Sequence, residues 1–217
     1  MDYDVLHLGE EREPLVLVED MFDVDALVAD AEGRAFSANS AFYPGIRAEA
    51  PLDILKPHGP ALTGMAREVF GAKGLRLIEH NYSLVTQAPE QLAPIQRLPH
   101  FDGFEPRLAL LVYLRAAGQG GTAFYRQRAT GFETVTRERF AEYERALREG
   151  VDAEGLGKGY FAGNSHFERI GEVEAVPGRV AIYRGRLIHS GVIPEPSKLS
   201  PDPRKGRLSL NTFFLLL

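Results

Sequence analysis

Residues Arg107–Arg115 read RLALLVYLR, a near-continuous apolar run entered from Pro106 and left towards Gly118, Gly120 and Gly121. A run of this kind between chain breakers reads as a buried β-strand. The texture continues downstream: GGTAFYR, IGEVEAV, RVAIYR, RLIHSGVI and LSLNTFFLL are short β-like segments separated by glycines and prolines. Together they predict a β core from Arg107 onward. One helix interrupts it near 136–149, over TRERFAEYERALREG, with Thr136 as cap, Phe140, Tyr143 and Leu147 on one face, and Gly150 as stop.

Upstream, PLVLVEDMF reads as a strand and DVDALVADAEG as a helix begun by Asp23 and ended near Gly33. Residues 34–58 read as irregular. GPALTGMAREVFG then has Pro60 at a helix start and Leu62, Met65, Ala66, Val69 and Phe70 at the spacing of one buried face. A strand over LRLIEHNYSLVT and a proline-punctuated loop lead to residue 98. No repeat, low-complexity tract or linker stands out. The expectation is one domain over 1–217, in which 1–96 is a support region and 97–217 the core. Its fold class is mainly β with flanking helices (α+β), the helices packed on one side of a barrel or sandwich.

Composition narrows the function classes. The chain has 217 residues, 44% hydrophobic and 25% charged, and a formal charge of -5. That balance argues against a dedicated nucleic-acid binder, which needs a basic face to displace counterions. Eleven acids against the single basic residue Arg12 within 1–32 read as a solvated acidic face. Cysteine is absent, which excludes disulfides, zinc-thiolate sites and thiol nucleophiles. The N-terminus lacks a signal-peptide pattern and no apolar run reaches a membrane span, so a cytoplasmic protein without membrane contact is expected.

The chemistry-bearing stretch is LPHFDG at 98–103. Residues i and i+2 of an extended segment share a face, so His100 and Asp102 can approach one point, while Phe101 points away. His189, near a strand end in YRGRLIHSG, is a third candidate. Two imidazoles and one carboxylate on one side of an ion leave its other side open, as a non-haem ferrous site requires, although zinc accepts the same donors. In GRLSLNTFF, alternation puts Arg207, Ser209 and Asn211 on one strand face, where an arginine fork and a hydroxyl form a natural carboxylate clamp.

In this order, His-x-Asp, VYL, GGTAFY, a late histidine and Arg-x-Ser resemble the 2-oxoglutarate and Fe(II)-dependent dioxygenases, specifically their prolyl-4-hydroxylase-like branch. The resemblance covers roughly residues 97–214. It implies a double-stranded β-helix (jelly-roll, cupin-like) core, with His100, Asp102 and His189 as iron ligands and Arg207, helped by Ser209, as the clamp on 2-oxoglutarate. Tyr113, in VYL, matches a position whose hydroxyl often reaches that co-substrate; core packing is its alternative role. Gly120 and Gly121 would permit a tight bend, and Phe124 and Tyr125 would fill the barrel. Lys198, nine residues after His189, competes with Arg207, which is eighteen after it. Arg207 is preferred because Lys198 lies among Pro194, Pro196, Pro201 and Pro203.

Read through that resemblance, the protein would hydroxylate a small-molecule or peptide substrate, using Fe(II), 2-oxoglutarate and O2 and releasing succinate and CO2. The alternatives are a cupin-like metal- or ligand-binding barrel without turnover and a metal-free interaction module. His7, His58 and His80 are expected at the surface or in packing, and His166, in GNSHFER, is a lesser candidate for substrate contact. The arginines Arg115, Arg126, Arg128, Arg184 and Arg186 fit either an anionic substrate or a salt-bridged rim. The apolar C-terminus needs cover, either from the helices or from a second copy in a homodimer.

Overall fold

A computed structural model describes residues 2–38, 40–116 and 118–217. Among the described residues, ten strands form two antiparallel sheets. β1 (Asp4–Leu8), β2 (Glu13–Val18), β3 (Gly45–Glu49), β4 (Leu75–Val85), β5 (Arg107–Arg115), β8 (Val180–Arg184) and β10 (Arg207–Leu216) make a seven-stranded sheet in the order β1-β2-β8-β5-β10-β4-β3. β6 (Thr122–Gln127), β7 (Phe167–Val173) and β9 (His189–Gly191) make a three-stranded one in the order β7-β6-β9. Four strands of the larger sheet come from the first 96 residues and three from the rest.

Alternation along the strands produces two apolar layers and a third behind the small sheet. Leu108, Leu110 and Val112 of β5 join Leu208 and Leu210 of β10 in one cluster. The same cluster holds Leu27, Val28 and Ala31 of α1 (Val24–Glu32) and Leu62, Met65, Ala66 and Phe70 of α2 (Gly59–Phe70). The opposite set on β5, Ala109, Leu111 and Tyr113, meets Phe124, Val173, Tyr183 and Leu187 between the sheets. α1 is capped as its sequence suggests, because the Asp23 carboxylate accepts a hydrogen bond from the Ala26 amide at 3.0 Å. α2 ends at Gly71, whose φ of 72° suits glycine at that position.

Three local expectations give way. The helices do not share one side: α3 (Phe140–Glu154) contributes Tyr143, Phe140 and Leu147 to a separate cluster with Ala123, Tyr125 and Phe167 of the small sheet. α3 also starts after Thr136, with no side-chain cap, and runs through Gly150 to Gly155. Gly150 is a close-packing position, since a Cβ there would lie 2.9 Å from the His166 ring. Finally, the stretch read as irregular contains β3, and β1 precedes the first strand expected. The apolar C-terminus is covered in part within the chain: β10 lies between β5 and β4 and Phe214 is buried, whereas Leu217 is exposed.

Candidate metal centre and cavity

LPHFDG does not join a regular strand, yet it is laid against the edge of the small sheet by backbone pairing. The His100 and His189 amides each donate to the other's carbonyl at 2.8 Å, and the Asp102 amide donates to the Gly185 carbonyl at 2.6 Å. A hydrogen-bonded antiparallel pair carries its side chains on one face. The His100 and His189 rings accordingly lie 4.4 Å apart, centroid to centroid. Asp102, two residues on, shares that face: its carboxylate oxygens are 3.8 Å from His100 Nε2 and 3.7 Å from His189 Nε2. One ligand atom from each of the three residues falls within 4.8 Å of the others. Phe101 turns the other way, onto Phe104, Phe140 and Tyr143.

The electrostatics suit a cation. His189 Nδ1 lies 2.7 Å from the Leu187 carbonyl, so Nδ1 carries the proton and Nε2 is left as a lone-pair donor. Burial pushes His189 down to about 4 and Asp102 up to about 6. The His100 ring is half-exposed to the cavity, so water screens it more than the buried His189. Asp102 Oδ2 is buried without a hydrogen-bond partner. An orphaned carboxylate oxygen beside two neutral imidazoles is the donor set of a divalent transition metal.

The triad opens onto a cavity of about 710 Å³ between the sheets. Arg207, Ser209 and Asn211 all line it, as their alternation predicts. Arg207 is buried; its Nη2 donates to the Gly121 carbonyl at 2.9 Å and its Nε to that of Gly120 at 3.3 Å. Those bonds leave Nη1 uncommitted, so the glycines aim the guanidinium as well as turning the chain. A Cβ on Gly121 would lie 1.7 Å from the Val173 carbonyl oxygen, which explains why the bend needs glycine. Ser209 Oγ donates to Asn211 Oδ1 at 2.7 Å.

Other expected contacts resolve differently. Tyr113 packs between the sheets and donates its hydroxyl to Thr122 Oγ1 at 2.8 Å; Thr122, not Tyr113, lines the cavity. Lys198 pairs with Glu195 at 2.6 Å on an exposed turn. His166 pairs with Glu154 at 3.2 Å, away from the cavity lining. Arg184 and Arg186 both hold Glu13, at 3.1 and 2.5 Å, and Arg126 holds Glu133 at 2.6 Å, so these are rim salt bridges. Sequence reading missed Tyr160, within the expected core, and Arg47 and Tyr43, outside it, all of which line the cavity. Arg47 alternates inward on β3, but a five-residue strand among glycine and proline gave too weak a period to detect.

Comparisons with known proteins agree with this architecture. The sequence model of a family described as "Family of unknown function (DUF6445)" matches residues 1–214. No curated protein matches the sequence. Among solved structures, the non-heme alpha ketoglutarate dependent epimerase SnoN from nogalamycin biosynthesis is similar with a TM-score of 0.55 at 19% identity, covering 94% of this chain and 79% of that one. HygX from Streptomyces hygroscopicus, with nickel, 2-oxoglutarate and hygromycin B bound, gives 0.54 at 16% identity over 98% and 88%. AviO1 from Streptomyces viridochromogenes Tue57 gives 0.53 at 15% identity over 94% and 90%. At these identities the likeness establishes a shared fold.

Proposed function

The chain belongs to this family of unknown function, DUF6445, and from its site we propose that it is a non-haem Fe(II)- and 2-oxoglutarate-dependent oxygenase that hydroxylates a substrate C–H bond. The observation that carries the reading is one cavity holding both halves of the machinery: an open-faced His100, Asp102 and His189 triad, and the buried Arg207 with no carboxylate paired to it among the described residues. A metal-binding barrel without turnover needs the first half and gives no reason for the second. SnoN with Fe3+ and alpha ketoglutarate, and HygX with nickel and 2-oxoglutarate, support the reading as neighbours of the same fold.

His100 Nε2, Asp102 and His189 Nε2 would hold the iron, with the Leu187 carbonyl fixing the His189 tautomer. Arg207 would pair with the distal carboxylate of 2-oxoglutarate through the N–H groups its glycine contacts leave free, and Ser209, tied to Asn211, would lie beside it. When bound, the metal supplies the oxygen chemistry that no side chain here can. In the overall reaction one atom of O2 enters succinate as CO2 leaves, and the other becomes the product hydroxyl. The chain's share is to fix the two carboxyl ends of the co-substrate, present the C–H bond, and exclude water with the aromatic wall of Phe101, Phe140, Tyr143 and Phe161.

Anaerobic titration with Fe(II) and then 2-oxoglutarate tests this. The expected result is a metal-to-ligand charge-transfer band that disappears in His100→Ala and needs much more 2-oxoglutarate in Arg207→Ala. A band absent from the wild type, or indifferent to both substitutions, sinks the proposal.

A further inference from the structure

Arg47 belongs to no part of the machinery assigned above, and its surroundings are unlike those of the rim arginines. It projects from β3 into the cavity, and its side chain is 16% exposed. Its guanidinium lies 4.4 Å from the centroid of the Tyr43 ring, which holds the group flat and limits its rotation. Its Nε is buried without an acceptor. The carboxylate paired with it, Glu79, is at 3.5 Å, longer than a charge-assisted hydrogen bond, and is itself partly exposed.

The register of the large sheet shows where this group stands. Arg47 is opposite Ser83 of β4, and Ser83 is opposite Ser209 of β10, so the three form one row across the inner face. Arg207 lies one row along, in line with Val85 and Gly45. Three arginines on separate strands line the cavity: Arg207 on the interior strand β10, Arg47 on the edge strand β3, and Arg107 on β5, whose guanidinium is held by Glu105 at 2.9 Å. The Tyr43 hydroxyl, which also lines the cavity, is buried with no closer partner than the neighbouring Ser83 hydroxyl. Unpaired buried donors are costly unless a ligand satisfies them.

We propose that Arg47, with the Tyr43 hydroxyl, binds the carboxylate of the primary substrate, which is a small monocarboxylate with an apolar, aromatic-sized body. The proposal rests on the oxygenase reading for the word substrate, but the anion site itself does not. The fork of Arg47 matches a planar carboxylate. Glu79 and Asp102 on the same side disfavour a dianion such as a phosphate monoester, because each adds like charge nearby. Much of the remaining wall is apolar or aromatic, including Ile95, Leu98, Leu147 and Phe213, which suits the body of such a molecule. Anchoring the carboxylate on β3 would leave the apolar body to extend towards the triad.

The test uses 3-phenylpropanoate and its uncharged amide as probes, with saturation-transfer NMR on the metal-free protein. Wild type should bind the acid in preference to the amide. Arg47→Met should weaken the acid by about tenfold or more, Arg47→Lys should restore part of it, and Arg207→Met should retain it. Loss in Arg207→Met with retention in Arg47→Met, no preference for the acid, or no binding of either probe overturns the proposal. The Fe(II) and 2-oxoglutarate titration of Arg47→Met provides the second arm: its 2-oxoglutarate dependence should match wild type, and a large shift would make Arg47 the co-substrate clamp and overturn the proposal. A wild type with no charge-transfer band but a clear preference for the acid would remove the oxygenase reading and leave the anion site standing.

Discussion

His100 and His189 exchange two backbone hydrogen bonds of 2.8 Å each, although 89 residues separate them. The spacing of the two imidazoles is therefore set by main-chain pairing and not by the rotamers of long side chains. A site built this way holds its geometry before any metal arrives, since the pair is locked by the same bonds that extend the small sheet.

Gly185 extends that lock to Asp102, the third residue of the triad. Its carbonyl receives the Asp102 amide at 2.6 Å, and a Cβ on it would lie 3.0 Å from the Asp102 Cβ and 3.3 Å from the Arg107 Cβ. Gly185→Val should push Asp102 off the shared face and weaken divalent-metal affinity by roughly 10–100-fold, the usual effect of disturbing a ligand's support. Calorimetric titration with Co(II), alongside circular dichroism to verify folding, measures it. An unchanged Kd in a folded variant would show that Asp102 does not depend on this contact.

Asp102 itself should cost the metal-free protein stability. Its carboxylate is enclosed, with Oδ2 unpartnered, and burial lifts it to about 6 from an ordinary 3.8. An acid whose folded pKa is raised loses stability as pH climbs from the unfolded value through the folded one. Asp102→Asn removes that charge, so at pH 8 the metal-free variant should unfold later than wild type, by about 1–3 kcal/mol, while metal affinity collapses. Denaturant melts without and with Co(II) should move in opposite directions; a destabilised metal-free Asn variant contradicts the argument.

The strands from Arg107 onward and the shared face of His100 and Asp102 were legible because each rests on a short-range pattern, apolar runs between breakers and the two-residue period of extended chain, whereas His189 joined the pair only through the order of motifs that resembles a known family. Asn211 and Ser209 followed from the same period on β10. For Tyr113, nothing in VYL shows that Thr122 accepts its hydroxyl hydrogen bond, because that pairing is set by strand β6. Arg47 failed because an edge strand gains its identity from pairing with β4, and GIRAE alone carries too few alternations. The α3 boundary failed because Gly150, read as a stop, is required by contact with His166.

His80 offers a pH signature remote from the metal centre. It is 5% exposed on β4, with Nδ1 2.8 Å from Thr212 Oγ1 across the β4–β10 ladder. Burial holds it down to about 4, against 6.5 ordinarily. The unfolded chain takes up this proton first as pH falls, so the stability is intact above 6.5 and drains between 6.5 and about 4, by up to about 3 kcal/mol. His80→Gln keeps a hydrogen-bonding partner for Thr212 without titrating. Its urea midpoint should fall less steeply than that of wild type across that window, because His100 and His189 titrate in both proteins. Parallel slopes would exclude His80 as a source of the pH dependence.

The N-terminal hairpin is fastened by a buried charge, and its loss should be felt at once. Glu133 is fully buried; it accepts the Glu10 and Glu11 amides, each at 2.9 Å, and Arg126 Nη2 at 2.6 Å. Gly9, at a φ of 58°, lets the β1–β2 turn close over that carboxylate, and a Cβ there would stand 2.2 Å from Glu133 Oε2. Glu133 cannot swing aside without breaking several hydrogen bonds, so Gly9→Ala should cost about 1–3 kcal/mol. Glu133→Ala strands two amides and part of the Arg126 guanidinium, for a loss of about 2 kcal/mol or more. The two changes act on one contact, so Gly9→Ala should cost much less in the Glu133→Ala background, where the space is empty. Urea melts of the four proteins close the cycle, and strict additivity would mean that Gly9 is needed only for its backbone conformation.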